Sequence, residues 1–408
     1  MAVVTNSNTR IFYAMLGTTI GAIGATSGVE DSEKCTDAIS VTSDANDHRI
    51  VHGLQSLGVD TNFALEQAFE LGRLSLYENI EDIPEISVSM QKFLDGYSLL
   101  YHLGASYDGN GAILGPTKTT LSGRADTRAD IRSVINATTE ENVATGDVTT
   151  PVAELYCSGM YLSSVSYTIP TDGTCTEDVG FVGNNKKWIN DPTVGDNLLL
   201  ANGSGIAAGF GSIFTDDEPA YDNGGKHVLR REDVQTGDDG HQTYKTVVPI
   251  IIEGVSQLGS TFKGRAPINA GTINTDNVHI NSFSCSTDLG RESINQLGTR
   301  TPYNRYVNFP TEVTSELEVT STAGDNVNAV ETTRSNLFNH EICIVLKDST
   351  VIHLGKSNKL SSVSFSGADA GGGNATIGYS FSNFNDLVVL HSGDPIAIAT
   401  SYWNDQFA

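Results

Sequence analysis

Hydrophobic positions in this chain recur mostly at every second residue, and the pattern is cleanest in the C-terminal half. Val313, Leu317 and Val319 alternate with Glu312, Thr314, Glu316, Glu318 and Thr320. Successive side chains of an extended strand point to opposite faces, so this run predicts a half-buried antiparallel strand. Ile342 to Leu346 and Val351 to Leu354 flank the turn Lys347-Asp348-Ser349-Thr350 and predict a hairpin. Val363 and Phe365 begin a strand that runs into Gly367-Ala368-Asp369-Ala370-Gly371-Gly372-Gly373-Asn374, and Ile377, Tyr379 and Phe381 alternate on the return. Leu387 to Leu390 and Ile396 to Tyr402 predict further strands. In the N-terminal half Val165, Tyr167 and Ile169 alternate, Pro170 to Asp178 reads as a loop, and Val179 to Val182 returns. The helical pattern is confined to Arg291 to Leu297, where Ile294 and Leu297 share a face and Gly298 ends the run. The chain is therefore predicted to be dominated by β-structure.

Two short blocks recur in the same order, which points to a duplicated unit. The first is Glu70-Leu71-Gly72-Arg73-Leu74-Ser75 against Asp288-Leu289-Gly290-Arg291-Glu292-Ser293, each followed by a strand led by proline, Pro84 or Pro310. The second is Leu162-Ser163-Ser164-Val165-Ser166-Tyr167 against Leu360-Ser361-Ser362-Val363-Ser364-Phe365. Either block alone is short, but two collinear blocks, each tied to a predicted strand, carry more weight. The wider spacing between blocks in the first half is the mark of loop insertion, which surface loops tolerate at small entropic cost. The reading divides the chain into a first unit at 1–188, an acidic Gly/Asp-rich insert or linker lobe at 189–248, and a second unit at 249–408. The apolar run Val247 to Ile252 opens the second unit much as Ile11 to Ala25 opens the first.

Composition fits many turns joining short strands: Gly occurs 41 times and charged residues make up only 18% of the chain, while 38% hydrophobic residues suffice for packed cores. The formal net charge of −25 argues against a sequence-reading nucleic-acid binder, which needs a basic stripe to release counterions. It leaves open a passive conduit, because an acidic wall repels phosphates within a screening length of about 8 Å and lets a duplex slide. It also serves solubility alone.

The five cysteines (Cys35, Cys157, Cys175, Cys285 and Cys343) are odd in number, widely spaced and form no CxxC pair, so neither a disulfide framework nor a zinc site is expected. His48 and His52 lack the glutamate of a HExxH site. The acidic run Asp216 to Asp222 lacks calcium-loop spacing, and Gly371-Gly372-Gly373 lacks the helix N-terminus of a phosphate loop. There is no Gly-x-Ser-x-Gly elbow. No catalytic, cofactor-binding or metal-ligating residue is expected, and the chain reads as a non-enzyme. Arg10 and the Ile11 to Ala25 run resemble a secretory signal, but Gly17, Gly21 and Gly24 dilute it, and a buried strand is the expected form. No stretch reaches the ~20 apolar residues of a membrane helix.

The motifs of the second half resemble the tail tube proteins of tailed bacteriophages. The resemblance is carried by Asp288-Leu289-Gly290-Arg291-Glu292, by Arg300-Thr301-Pro302-Tyr303-Asn304-Arg305-Tyr306-Val307-Asn308-Phe309-Pro310 leading into Glu312-Val313-Thr314, and by Lys356 to Leu387 around Leu360 and Val363. Leu71, Gly72, Arg73, Leu162 and Val165 are the weaker echoes in the first half. The resemblance implies two tandem β-sandwich or barrel units, each with a short flanking helix, and an inserted loop-rich region. It implies a virion protein of the tail, made in the host cytoplasm, with no cofactor and no membrane partner. Its partners would be copies of itself in a trimeric ring of pseudo-sixfold symmetry, stacked head to tail. The tail terminator, the baseplate or tip and the tape measure would bind it too, with viral DNA passing through the lumen without specific binding. Gly367, Asp369, Gly371, Gly372, Gly373 and Asn374, or a counterpart near Asp172, would form the contact to the next ring. A capsid, decoration or surface-layer protein is the alternative, and a secreted carbohydrate-binding protein or enzyme the third reading.

Overall fold

A computed structural model describes residues 10–17, 48–50, 53–63, 65–72, 76–81, 83–94, 98–100, 105–107, 113–116, 121, 125, 128–137, 151–190, 228–234, 246–249, 251–252, 278–298, 302, 304–321, 339–348, 350–367 and 374–390, and among these the chain is almost entirely extended. The strands of the first half are β1 (Arg10–Gly17), β2 (His48–Ile50), β3 (Leu54–Asn62), β4 (Leu65–Phe69), β5 (Leu76–Glu81), β6 (Glu85–Phe93), β7 (Ala105–Tyr107), β8 (Ile113–Pro116), β9 (Arg128–Ala137), β10 (Pro151–Ile169), β11 (Thr176–Gly183) and β12 (Asn185–Asn190). Those of the second are β13 (Val278–Asp288), β14 (Glu292–Ile294), β15 (Asn304–Tyr306), β16 (Glu312–Ser321), β17 (Cys343–Val345), β18 (Val351–His353), β19 (Lys359–Ser366), β20 (Thr376–Phe384) and β21 (Val388–Leu390).

The main sheet is antiparallel and twelve-stranded, and its central path runs β19-β20-β16-β13-β10-β11-β6-β3. The first four strands of that path and the last four have the same connectivity. In each, the chain passes from the fourth position to the third, then to the first, then to the second. The registers agree as well. Leu162 faces Phe181, a bulge follows, then Ser164 faces Gly180 and Val165 faces Val179. Leu360 faces Phe381, a bulge follows, then Ser362 faces Ser380 and Val363 faces Tyr379. The β3/β6 ladder shifts between Leu54 and Ser56, and the β13/β16 ladder shifts between Ile280 and Ser282. A bulge leaves a residue unpaired, so its recurrence at matched positions marks matched backbones rather than a shared strand propensity.

The alternation read in the sequence is the alternation of burial. Val313, Leu317 and Val319, Ile377, Tyr379 and Phe381, and Val165, Tyr167 and Ile169 all lie on the core face. The hairpin β17–β18, joined by β21, forms a small second layer whose Ile344, Ile352 and Val389 pack into the main core. Cys343, Val345, Val351, Val388 and Leu390 form a separate cluster with Val247.

One part of the core departs from the apolar rule. Lys92 and Glu177 sit directly opposite each other across β6 and β11, Tyr167 lies opposite Glu177 across β10, and all three are buried. The Tyr167 hydroxyl donates to Glu177 at 2.8 Å, the Ser98 hydroxyl donates to it at 2.8 Å, and the Leu99 amide donates at 3.0 Å. The equivalent register positions of the second half are Val319, Ile377 and Phe365. Burial raises the Glu177 carboxyl above its ordinary range, and the Lys92 charge and the three hydrogen bonds only partly oppose it. A carboxyl that is more basic folded than unfolded binds extra protons in the native state. Its contribution to stability therefore falls as pH rises from the ordinary carboxylate value through the raised one. Glu177→Gln is expected to remove that segment of slope from a pH series of urea unfolding midpoints.

Several expectations are corrected. Arg291 to Leu297 is not a helix: Glu292–Ile294 pairs with Asn304–Tyr306, and Ile294 and Leu297 are exposed with no core beneath them. Among the described residues helix is limited to Leu99, Leu100 and Leu121, beside a 3-10 turn at Arg231–Asp233. Pro170 to Asp178 is loop as far as Cys175, and its last three residues begin β11 at Thr176. Val247 to Ile252 is a bridge to Cys343 followed by a turn. Within 189–248, the described segments 228–234 and 246–248 contact the fold on either side. Leu229 is buried and hydrogen-bonded to Leu94 and Cys175, and Asp233 accepts from the Lys347 amide. Ile396 to Tyr402, Cys35, His52, Asp216 to Asp222 and residues 18–25 lie outside the described residues.

Candidate functional site

The feature that sets this molecule apart is the outer face of the central sheet path. Alternation sends the apolar residues to the core and leaves Ser, Thr and Gly outside on every strand: Ser56 and Gly58 on β3, Ser87 and Ser89 on β6, Ser164 and Ser166 on β10, Ser284 and Ser286 on β13, Ser380 and Ser382 on β20. Set among them are Asp60, Glu85, Asp178, Asp288, Glu312, Glu316 and Glu318. Lys359, at the start of β19 opposite Ser382, is a basic residue at the rim of this face. A shallow open groove follows the middle of the face, lined by Ser56, Ser89, Ser164, Asp178, Ser286 and Asp288. Short hydroxyls and glycines keep it flat. A Cβ on Gly180 would come within 2.5 Å of the Ser164 Oγ, and one on Gly58 within 2.6 Å of the Ser89 Oγ. Such a surface offers a ligand no apolar anchor and no enclosure, and its carboxylates repel polyanions.

The two ends of the path are open edges. Among the described residues, β3 pairs with β6 and β19 with β20, and neither has a strand on its other side. Between the two halves, the corresponding edges are joined. Val165 faces Thr287, Tyr167 faces Cys285 and Ile169 faces Phe283 across β10 and β13, and the Leu289 amide donates to the Ser163 carbonyl at 2.8 Å. The hairpin β14–β15 then folds over the first half. Arg291 donates from Nε to the Leu162 carbonyl at 2.8 Å and from Nη2 to the Ala125 carbonyl, with its guanidinium over the Tyr161 ring. The Tyr161 hydroxyl donates to Asn304 at 2.7 Å. Arg305, only 5% exposed, pairs with Glu85 at 3.1 Å and donates to Asn184. At the tip of this contact the Tyr306 hydroxyl donates to Glu292, which raises the phenol above its ordinary value.

The sequence motifs divide between these places. Leu162 and Val165 are buried on β10, while Leu360 and Val363 are half-buried on the open edge β19. Leu289 is buried where β13 ends, Gly290 has φ +51, and Arg291 makes the clamp just described. Leu71 and Gly72 instead form the exposed tip of the β4–β5 hairpin, with Gly72 at φ +91. By register the counterpart of Leu289 is Phe63, and the tip corresponds to Leu297-Gly298, so the first block pairs non-equivalent positions. Arg73 lies outside the described residues, as do Asp369, Gly371, Gly372 and Gly373. Gly367 has φ +117, and a Cβ there would meet the Asn374 carbonyl at 2.5 Å, so the two stems of this loop are held close. Asp172 is exposed and lies 3.7 Å from Arg231. Asn304 and Arg305 were part of a resemblance motif but had no predicted role.

Among the described residues there is no cluster of three or more His, Cys, Asp or Glu side chains able to hold a metal. Cys157, Cys175, Cys285 and Cys343 are buried thiols outside any disulfide. Burial pushes the Cys175 and Cys285 thiols up to about 12, so they stay protonated and are poor nucleophiles. The Lys92, Glu177 and Tyr167 cluster is sealed in the core. No helix among the described residues is long and apolar enough to cross a membrane.

Compared with known proteins, the sequence matches no protein family and no curated protein. Among solved structures the chain is similar to the tube-terminating cap of the anti-feeding prophage. The likeness has 11% identity and a TM-score of 0.23, over 34% of this chain and 80% of that one. A likeness of that extent does not bear on what this chain does.

Proposed function

We propose that the chain is a structural subunit of a phage tail tube, three copies closing each ring and rings stacking head to tail around a DNA conduit. It acts without a cofactor and without a catalytic step. The observation that carries this reading is the pair of open edges on a repeated four-strand unit. The edges left free at β3 and β19 are the same two edges that β13 and β10 join inside the chain. Repeating that junction between chains removes both open edges of the path, which an isolated sheet otherwise exposes to uncontrolled pairing. The internal register transfers directly: Ser362 opposite Asn62, Val363 opposite Thr61, Ser364 opposite Asp60 and Phe365 opposite Val59 of the next chain. The core face carries the second layer, so the hydroxyl and carboxylate face lines the bore. With strands spaced ~4.8 Å apart, three chains set a backbone diameter of about 37 Å, wider if the strands tilt. The loop between Gly367 and Asn374, whose stems lie close together, is our candidate for the contact to the neighbouring ring or a tail partner.

A chain carrying Asp60→Cys and Ser364→Cys tests this. On mild oxidation it is expected to form a covalently closed trimer on a non-reducing gel and rings and tubes by negative-stain microscopy. Thr61→Cys with Ser364→Cys, one register step away with its side chain on the other face, is expected to cross-link poorly. Lattices, shells or six-chain rings would overturn the reading.

A further inference from the structure

The internal junction is held by more than strand pairing, and its second component has a counterpart in the β4–β5 hairpin, whose Leu65, Tyr77 and Ile80 are exposed. Leu54 to Asn62 match Ile280 to Asp288 in register, and the following hairpins match too: Glu66 faces Ile80 as Glu292 faces Tyr306. Leu65 therefore stands where Arg291 stands, Glu78 where Asn304 stands, and Ile80 where Tyr306 stands. On the receiving side, Lys359 takes the place of Tyr161 and Phe384 that of Asn184. The chemistry has been exchanged at both ends. A guanidinium and an amide on an aromatic ring become an aliphatic side chain and a carboxylate facing an ammonium. Leu65 and Ile80, on the two faces of the hairpin, are 60% and 48% exposed, and Phe384 on the receiving side is 58% exposed, so both sides of the contact carry open apolar surface.

We propose that the β4–β5 hairpin of one chain docks over the β19 edge of a second copy of this chain. Glu78 pairs with Lys359, Leu65 lies along the same lysine's stem as Arg291 lies over Tyr161, and Asn79, in the place of Arg305, meets Phe384. The inference rests on the ring reading and adds a second contact to each chain-to-chain junction, apolar and ion-paired where the internal one is clamped by Arg291 and Arg305. Opposite charges on the two surfaces steer them together, and like charges at the same place block them.

Glu78→Lys and Lys359→Glu, each in the full chain, are the test, scored by ring yield in sedimentation and microscopy. Both side chains are exposed, so each variant is expected to keep the wild-type melting midpoint. Each single variant is expected to lose about tenfold in ring yield, and the double variant to recover to within about twofold. Wild-type ring yield in both single variants overturns the docking contact and leaves edge pairing standing. A folded double variant that fails to recover also overturns it. A wild-type chain that forms no rings overturns the tube reading and this contact together.

Discussion

Replacing Lys92 with methionine is expected to cost the folded chain about 3–5 kcal/mol, the penalty for leaving a buried carboxylate without its counter-charge. Lys92 and Glu177 face each other across β6 and β11 with no exposure to water, and Glu177 already takes hydrogen bonds from Tyr167, Ser98 and Leu99. Those bonds cannot be remade elsewhere, so the loss appears as a shift in the urea midpoint with an unchanged slope. The carboxyl's proton affinity, already raised by burial, rises further without Lys92, so the variant's deficit is expected to shrink on acidification. The second half shows the way back, because Val319 and Ile377 hold the same two positions. Adding Glu177→Leu to Lys92→Met is expected to recover part of the loss. Recovery stays incomplete because the Leu99 amide is left without an acceptor, at about 1–3 kcal/mol. A double variant no more stable than Lys92→Met would sink this account.

The same pair explains why the first half was harder to read. Ile86, Val88 and Met90 announce a strand, but the next core position is lysine, and its partner strand offers a glutamate among Val179 and Phe181. In the second half Val319 and Ile377 hold those two positions, and buried polar residues on the strands of the main sheet and the β17–β18 hairpin are few (Thr287, Ser315, His353 and Asn383), so the strands around Val313, Ile377 and that hairpin were legible. Arg291 to Leu297 was misread because apolar residues three apart mimic a helical face on a hairpin that packs through Arg291 and Asn304. Local pattern contains no term for pairing between β10 and β13, whose contacts span more than a hundred residues of sequence. The fused sheet, and with it the continuity of the outer face and the location of its open edges, could therefore come only from the fold. The outer positions of Glu312, Glu316 and Glu318 were visible in the alternation itself.

A proline at position 365 is expected to leave the chain folded and abolish its rings. The Leu289 amide bonds the Ser163 carbonyl, so backbone groups at Ser163 and, by the two-residue period of a strand, at Val165 and Tyr167 turn toward β13. Phe365 holds the register position of Tyr167, and its N–H turns to the open side of β19, outside the β19/β20 ladder. Proline is tolerated at such a site because the donor it removes bonds nothing within the sheet. Phe365 is 60% exposed, so little packing is lost, and the unfolding midpoint of Phe365→Pro is expected to move by less than about 1 kcal/mol. Between chains the same change removes a ladder hydrogen bond and sets a pyrrolidine ring against the incoming β3. Each junction weakens by about 1–2 kcal/mol or more, roughly tenfold in its equilibrium constant. A ring of three contains the junction three times, so the losses multiply and closed rings vanish at concentrations where the parent assembles. Phe365→Ala keeps the donor and is expected to keep rings at reduced yield. Rings of ordinary yield from a folded Phe365→Pro chain would rule out β19 as the closing edge, whatever holds the chains together.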